Sequence, residues 1–460
     1  MKNHLLLFLF FMSANLFSNE FVINEDQFSG LSSIEFNIGE YTFDQKDNYS
    51  KVISNSKGET QNHGEPLLPT YAFNYAIDRN KDYDVTFVVT DTEIYNNINL
   101  YPVQPVQKNE NGKDFIKNDQ LYNSNSIYPS SQLNVSRSSM RGYELLGIEF
   151  VPFEYDFQQQ QLKVYKTVEI NIEEIGTRES NDIPRSKIFE EMYNNIIINT
   201  DSYNDNRNFQ EPSILYILED YTSVIEPLIE WRRKQGFEVT VVDRDQTGSS
   251  TTSIKNYITN AFNNWSNPPE FVCLVGDANG SLDVDTYNVG QGGGWGGAYG
   301  EGDFPYTLIE GNDNLPDIII GRISVRSTSS LATVVNKIIG YEKNYAGSTN
   351  WLRSAALVGD PYDSGISTVI TNEYIEQSME IHSGITDIRT KYSGSGFDTF
   401  MRDQINDGVS YLNYRGFYGF SNFTTNDVDQ LNNGYKLPFL TTLTCDTGSF
   451  ATDNECITEA

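Results

Sequence analysis

From residue 213 onward, short unbroken apolar runs alternate with segments of helical period, and that alternation constrains the fold more than any other feature. The runs at 213–218, 238–242, 271–275, 317–320, 355–359, 408–414 and 438–444 read as strands. Between them, 223–235, 250–265, 328–341 and 369–382 read as helices, the first stopped by Gly236 and the second opening on Ser/Thr caps. Strands apolar on both faces and joined by helices build a mostly parallel, doubly wound α/β sheet covered on both sides. Ligands in such sheets bind beyond the carboxyl ends of the strands. The residues to interrogate are therefore Asp277, Asp360, residues 415–419 and Cys445.

The first half has a different rhythm. Residues 20–176 carry branched and aromatic alternation at 85–90, 147–151 and 162–172, punctuated by Pro66, Pro69, Pro102, Pro105, Pro129 and Pro152. That pattern predicts an all-β domain, a sandwich. A short helix follows at 187–194, then a polar Asn- and Asp-rich stretch at 199–208 that reads as an exposed linker open to proteolysis. The expected division is 1–18 signal, 19–198 all-β domain, 199–210 linker, and two α/β subdomains at 211–346 and 347–460.

Lys2 followed by an apolar run from Leu5 to Met12 and small residues up to Ser18 has the layout of a secretory signal. It is too short to span a bilayer, and no later window is apolar enough. No Cys stands near the cleavage zone, which disfavours a lipoprotein anchor. Export to the cell surface or medium is the expectation, with no membrane span. The 63 acidic residues against 32 basic ones give a formal charge of −31. Such a chain is repelled by phosphate backbones and anionic lipid, which excludes nucleic acid as a partner. Three cysteines are an odd number and cannot form a disulfide framework.

Cys445 directly follows the strand at 438–444 and precedes Asp446-Thr-Gly448. A thiol at the carboxyl end of a parallel strand, before a glycine turn, meets a cleft with backbone N–H groups nearby, as a thiol nucleophile requires. A strand-end cysteine is also often a small buried hydrophobe. Cys273, inside an apolar strand, reads as core.

Several motifs bear on this choice. Phe271-Val-Cys-Leu-Val-Gly-Asp277, Asp303-Phe-Pro-Tyr306 with Gly311-Asn-Asp313, Asp317-Ile-Ile-Ile-Gly-Arg322 and Tyr341-Glu342 occur in order. Asn413-Tyr-Arg-Gly416 and Leu437-Pro-Phe439 with Thr444-Cys445 follow. Upstream stand Gly64-Glu-Pro-Leu-Leu-Pro69, Arg141-Gly-Tyr143 and Leu162-Lys-Val-Tyr165. In this order and spacing the chain resembles the gingipain family of cysteine endopeptidases. The resemblance implies a caspase-like α/β catalytic domain behind an inhibitory all-β prodomain. It also implies Cys445 as nucleophile, the backbone N–H groups of Cys445 and Tyr418 as oxyanion donors, and a peptide or protein substrate. The family continues beyond residue 460 with further strands, an immunoglobulin-like module and a sorting tail, so export and sorting machinery are expected partners.

The chain departs from the family at the base. Where the family has Gly-His-Gly, this chain has Gly416-Phe417-Tyr418-Gly419, and Phe417 occupies the imidazole's position. His4 lies in the signal, His63 in the first domain and His382 at the end of a helix, and none matches by motif. Loss of a positioned acid/base costs roughly 10²–10⁴ in rate. Asp360 matches the carboxylate that orients the family's His, and it also reads as a turn acid before Pro361. Asp363 and the Ser364-Gly365 turn give no acidic match at the place where Arg-specific members hold one, Thr368 being nearest to it, so no Arg preference is expected. Asp277, Asp303, Asn312 and Asp313 form an oxygen-rich loop set, and the family's structural calcium makes them candidate ligands; solvated turn acids are the other reading. Gly292–Gly300, with Trp295 and Tyr299, reads as a surface loop and lacks the ending of a phosphate loop. Cys456 either stays free or pairs with Cys445. The functional expectation is a zymogen-type cysteine endopeptidase weakened by loss of its base. The alternative is a degenerate peptidase fold serving as a peptide-binding or surface-assembly module.

Overall fold

The computed structural model describes residues 21–26, 31–105, 115–201, 203, 205–288, 300–452 and 454–460. The signal segment, with His4, and all of the glycine loop but Gly300 lie outside the described residues. Two compact units result: Met1–Phe209 with Glu310–Leu315, and Gln210–Ile309 with Pro316–Ala460.

The first unit is an all-β sandwich. One antiparallel sheet is built on the long strand Gln161–Thr177, which pairs with Leu31–Asn37, Phe153–Asp156 and Lys81–Asn96. The other runs Gly58–Glu59, Pro69–Ile77, Tyr143–Phe150, Leu133–Met140. Alternation turns one face of each inward, so Ile34, Phe36, Val168 and Ile170 meet Phe73, Tyr75, Ile148 and Phe150 in one core.

The stretch 199–208, read from sequence as an exposed linker, is instead fastened to this unit. Asn199 is buried and exchanges hydrogen bonds with Ala76, accepting from its N–H at 2.7 Å and donating to its carbonyl at 3.1 Å. Arg185 donates to the Asp205 carbonyl (2.6 Å), and Arg207 holds the Asp205 carboxylate while stacking over Tyr143. Polarity signalled exposure, but these polar groups are spent on the domain's own backbone. Glu310–Leu315, which lies within the predicted α/β stretch, also belongs to this unit. There Glu310 pairs with buried Arg79 (3.6 Å), and Asp313 accepts the Ser139 N–H (2.9 Å).

The second unit contains two four-stranded parallel sheets with the same strand order. The first runs Glu238–Val242, Ser213–Leu218, Phe271–Val275, Ile319–Ile323. The second runs Asp387–Lys391, Ser354–Gly359, Tyr411–Tyr418, Phe439–Cys445. The α/β, mostly parallel architecture behind an all-β sandwich is thus present, its parallel part divided into two sheets. Asp387–Lys391 escapes the apolar-run criterion because it is a charged edge strand, its Arg389 bonded back to Asp387 at 2.7 Å.

Helices cover both faces of the second sheet. Phe397–Asp407 packs Met401 and Ile405 against Ala356, Val358, Leu412 and Tyr414. On the other face, Ser367–His382 is pinned by buried polar bonds: Asn413 Nδ2 donates to Asn372 Oδ1 (2.8 Å), and Asn372 Nδ2 donates to the Thr368 and Val358 carbonyls (2.8 and 3.2 Å). The helix approaches so closely that a Cβ on Gly359 would lie 2.8 Å from the Thr368 carbonyl oxygen. Only glycine fits there. Gly359→Ala is expected to destabilise this unit by about 1–3 kcal/mol through overpacking. A lower urea midpoint checks this, and an unchanged midpoint overturns the close-approach argument.

Candidate active site

The second sheet begins at its centre, adds Asp387–Lys391 on one side and then Tyr411–Tyr418 on the other. The connections therefore diverge at the carboxyl ends of Ser354–Gly359 and Tyr411–Tyr418, the crevice where open α/β sheets bind ligands. Asp360, Arg415, Phe417, Tyr418 and Cys445 all stand at this end.

Cys445 is the last residue of its strand, exposed and unbridged. It pairs with Tyr418 across a bulge in the neighbouring strand, and its carbonyl accepts the Gly419 N–H at 2.8 Å. In a parallel ladder this bond leaves the Cys445 N–H facing the Phe417 carbonyl. The chain then turns sharply at Asp446, whose φ of +64° lies in the left-handed region. Phe417 and Tyr418 are 50% and 62% exposed and form an open aromatic surface at this strand end. The Tyr418 phenol, hydrogen-bonded to Asp446, is held above its ordinary range. His382 ends a 16-residue helix that starts at this end of the sheet, about 24 Å away along the helix axis.

Asp360 performs the turn role and faces the crevice as well. Its Oδ1 accepts the Tyr362 N–H (3.0 Å), capping the short helix Pro361–Ser364, and its Oδ2 accepts the Ser421 hydroxyl. Ser421 in turn contacts the Tyr414 hydroxyl at 2.6 Å. Sequence reading missed Ser421. Its only local signal is a polar residue two places after Gly419, where the backbone adopts φ of +45°. Thr368 is fully buried and donates to the Gly365 carbonyl (3.1 Å), and Asp363 lies in the short capped helix.

Two of the oxygen-rich set, Asp277 and Asp303, are engaged by guanidinium groups. Asp303 is held in a fork by Arg322, Nε to Oδ2 and Nη2 to Oδ1 at 2.8 Å each, and also accepts Thr286 Oγ1. Asp277 faces Arg326 Nε at 2.7 Å. Asn312 and Asp313 belong to the other compact unit. Carboxylates already neutralised by guanidinium groups do not fit a calcium ion, and no group of three or more His, Cys, Asp or Glu among the described residues is arranged to hold a metal.

Asp277 has a second partner besides Arg326. Burial, with Glu459 hydrogen-bonded to it, pushes its carboxyl above the ordinary range. Glu459 also accepts Ser324 Oγ (2.7 Å) and the Cys456 N–H (2.8 Å), fastening the chain after Cys445 to the first sheet. Cys456 is a free thiol against Thr458 (3.2 Å), raised by burial, so no Cys445–Cys456 bridge is present. Cys273 packs against the first sheet's core, and burial pushes its thiol up to about 12.

A family model for Peptidase family C25 matches residues 193–460, and one for Propeptide_C25 matches residues 21–209. The chain belongs to peptidase family C25 and carries that family's propeptide, as the motif resemblance implied. It is 24% identical over 420 residues to Gingipain R2 of Porphyromonas gingivalis (strain ATCC BAA-308 / W83), covering 86% of this chain and 55% of that protein. It is 25% identical over 300 residues to the Lys-gingipain of strain ATCC 33277, covering 60% of this chain and 16% of the relative. The chain thus spans about half of Gingipain R2 and less of the others. Among solved structures, the Arg-specific cysteine proteinase gingipain R is 26% identical with a TM-score of 0.48, covering 54% of this chain and 57% of that one. Among the described residues no helix is long and apolar enough to cross a membrane.

The Asp277–Glu459 pair gives a pH signature. A carboxyl raised by folding contributes stability below the unfolded value of about 3.9 and loses it as pH rises through the folded value. Unfolding midpoints from pH 4 upward should move in favour of Asp277→Asn relative to the parent as pH rises. A gap independent of pH overturns the assignment.

Proposed function

We propose that this chain is an exported, zymogen-type cysteine endopeptidase of restrained rate, with Cys445 as nucleophile and the propeptide as its inhibitory partner. The observation that carries this reading is an exposed thiol at the carboxyl end of the last parallel strand, beside the divergence of the sheet. In the reaction the thiolate attacks the scissile carbonyl; the donors proposed for the oxyanion are the N–H groups of Cys445 and Tyr418, which stand where the ladder opens, the first facing the Phe417 carbonyl and the second turned away from this strand. The amine leaves with a proton from water, and a second water hydrolyses the thioester. Asp360 lines the crevice as an acceptor. The names of the relatives, Arg- and Lys-gingipains among them, give the reaction class. That Thr368, and not an acid, stands at the position matching the Arg-specific members' carboxylate speaks against Arg preference. Activation follows a cut in the connector 199–210, which is fastened to the propeptide unit rather than loose. No calcium is invoked, because the carboxylates of the candidate set are otherwise engaged.

The second reading, a peptide-binding or surface-assembly module, draws on the open aromatic surface of Phe417. A thiol-reactive peptidyl probe applied to the full chain, intact and cut in the connector, separates the two. Labelling at Cys445 that vanishes in Cys445→Ala supports the peptidase. Phe417→His is expected to raise the labelling rate by roughly 10²–10⁴. No labelling across pH 6–10 in either form assigns the chain to the second reading.

A further inference from the structure

Arg415 is the cation at this site that nothing among the described residues claims. In a protein of formal charge −31, carboxylates outnumber guanidinium and ammonium groups almost two to one. The neighbouring arginines of the second unit are engaged accordingly: Arg322 by Asp303, Arg326 by Asp277, Arg389 by Asp387 and Arg402 by Asp427. Arg415 stands apart. Among the described residues it has no ion pair, and its Nε is buried without a hydrogen-bond partner. Leaving a buried donor unmade costs about 1–3 kcal/mol, so such a group calls for an acceptor.

Its place in the sheet says where that acceptor comes from. Arg415 pairs with Leu443 in the parallel ladder, and Leu443 and Cys445 are two residues apart on one strand. By pleat alternation all three side chains rise from the same face, with Arg415 and Cys445 on adjacent strands. The nearest acid in sequence register is spent on the other side. Asp360, whose N–H donates to the Arg415 carbonyl (2.9 Å), sends its carboxylate to Ser421, which sits against Tyr414. Tyr414 precedes Arg415 in the strand and therefore points to the opposite face, into the core with Met401 and Phe420. Asn413, on the Arg415 face, is consumed by Asn372. Leu443 is 42% exposed, so the face is open beside the thiol.

We infer that Arg415 is a substrate-recognition group, and that peptides placing a carboxylate side chain on this face beside Cys445 bind in preference to their neutral counterparts. The inference rests on the reading of this crevice as a peptide site and adds its substrate class. A guanidinium fork takes a carboxylate in two parallel bonds, which an amide cannot reproduce.

The test uses the full chain carrying Cys445→Ala and cut in the connector. Fluorescein-labelled alanine-based hexapeptides carry one Glu at each position in turn, each with a Gln twin, and binding is read by anisotropy at 150 mM salt. At one position the Glu peptide should bind about tenfold tighter than its twin, the worth of one charge-assisted contact. Arg415→Gln should abolish that preference, and Arg415→Lys should keep the charge and part of the preference. Melting curves of both variants report folding, so the comparison stands on whichever variant remains native. Equal binding of the twins at all positions, no measurable binding of either, or a Glu preference that survives Arg415→Gln overturns the inference. Labelling of Cys445 by the peptidyl probe is run in parallel on the parent protein. If labelling fails while an Arg415-dependent Glu preference stands, the peptidase reading falls and the anion site remains. If labelling succeeds with equal twins, the anion site alone falls.

Discussion

The 2.8 Å hydrogen bond from the Gly419 N–H to the Cys445 carbonyl is the last rung of the parallel ladder between the two final strands, and the site depends on where that rung lies. Up to Arg415 the strands run in simple register. Between Arg415 and Tyr418 the register shifts by a bulge, after which Tyr418 still pairs with Cys445 while Phe417 and Tyr418 stand exposed at the strand end. Beyond Cys445 the chain turns away at once through the left-handed Asp446. A thiol on an unbroken strand would be covered by the next turn of chain. A thiol at the last rung is open on one side and fixed in place on the other.

The rest of the second sheet exists to hold that end still. Apolar burial alone sets the face a helix covers, but it tolerates sliding along the strand. The buried Asn372–Asn413 bond does not, because each amide has one position in which its partners are met. That bond fixes the depth of the helix Ser367–His382 against Tyr411–Tyr418, and the bare Cα of Gly359 lets its first turn close on the strand end. The crevice inherits its shape from these two contacts.

Sequence reading recovered the elements whose burial is two-sided, and for one reason. A strand such as Ser213–Leu218 or Ser354–Gly359, buried at every residue, writes an unbroken apolar run into the sequence. Asp387–Lys391 has one neighbour and alternating charge, so nothing local distinguishes it from a loop. Helix Lys187–Asn194 was legible from its pattern, its cap being Ser186. The tie-down of 199–208 was not, because the partners of Asn199 lie 123 residues away. The same limit governs the acids. Asp277 and Asp303 look like loop oxygens until the fold supplies Arg326 and Arg322, and local composition holds no record of that pairing. The position of Cys445 at a strand end was legible; the engagement of its backbone by residues 417 and 419 was not.

Asp360 shows how a carboxylate at a crevice can be held by structure alone. A carboxylate whose sole task was to orient an imidazole would have no other partners. Asp360 has other work: it caps Pro361–Ser364 and receives Ser421, whose hydroxyl is shared with Tyr414 in the core. Removing it would leave an uncapped turn and a half-satisfied hydroxyl pair, costs unrelated to turnover. The presence of Asp360 therefore carries no weight in deciding whether the chain cleaves peptides. Arg415 argues differently, because among the described residues no such internal bond meets its buried Nε. Of Asp360 and Arg415, the one the fold explains is silent about function, and the one the fold leaves unexplained points outward to a ligand.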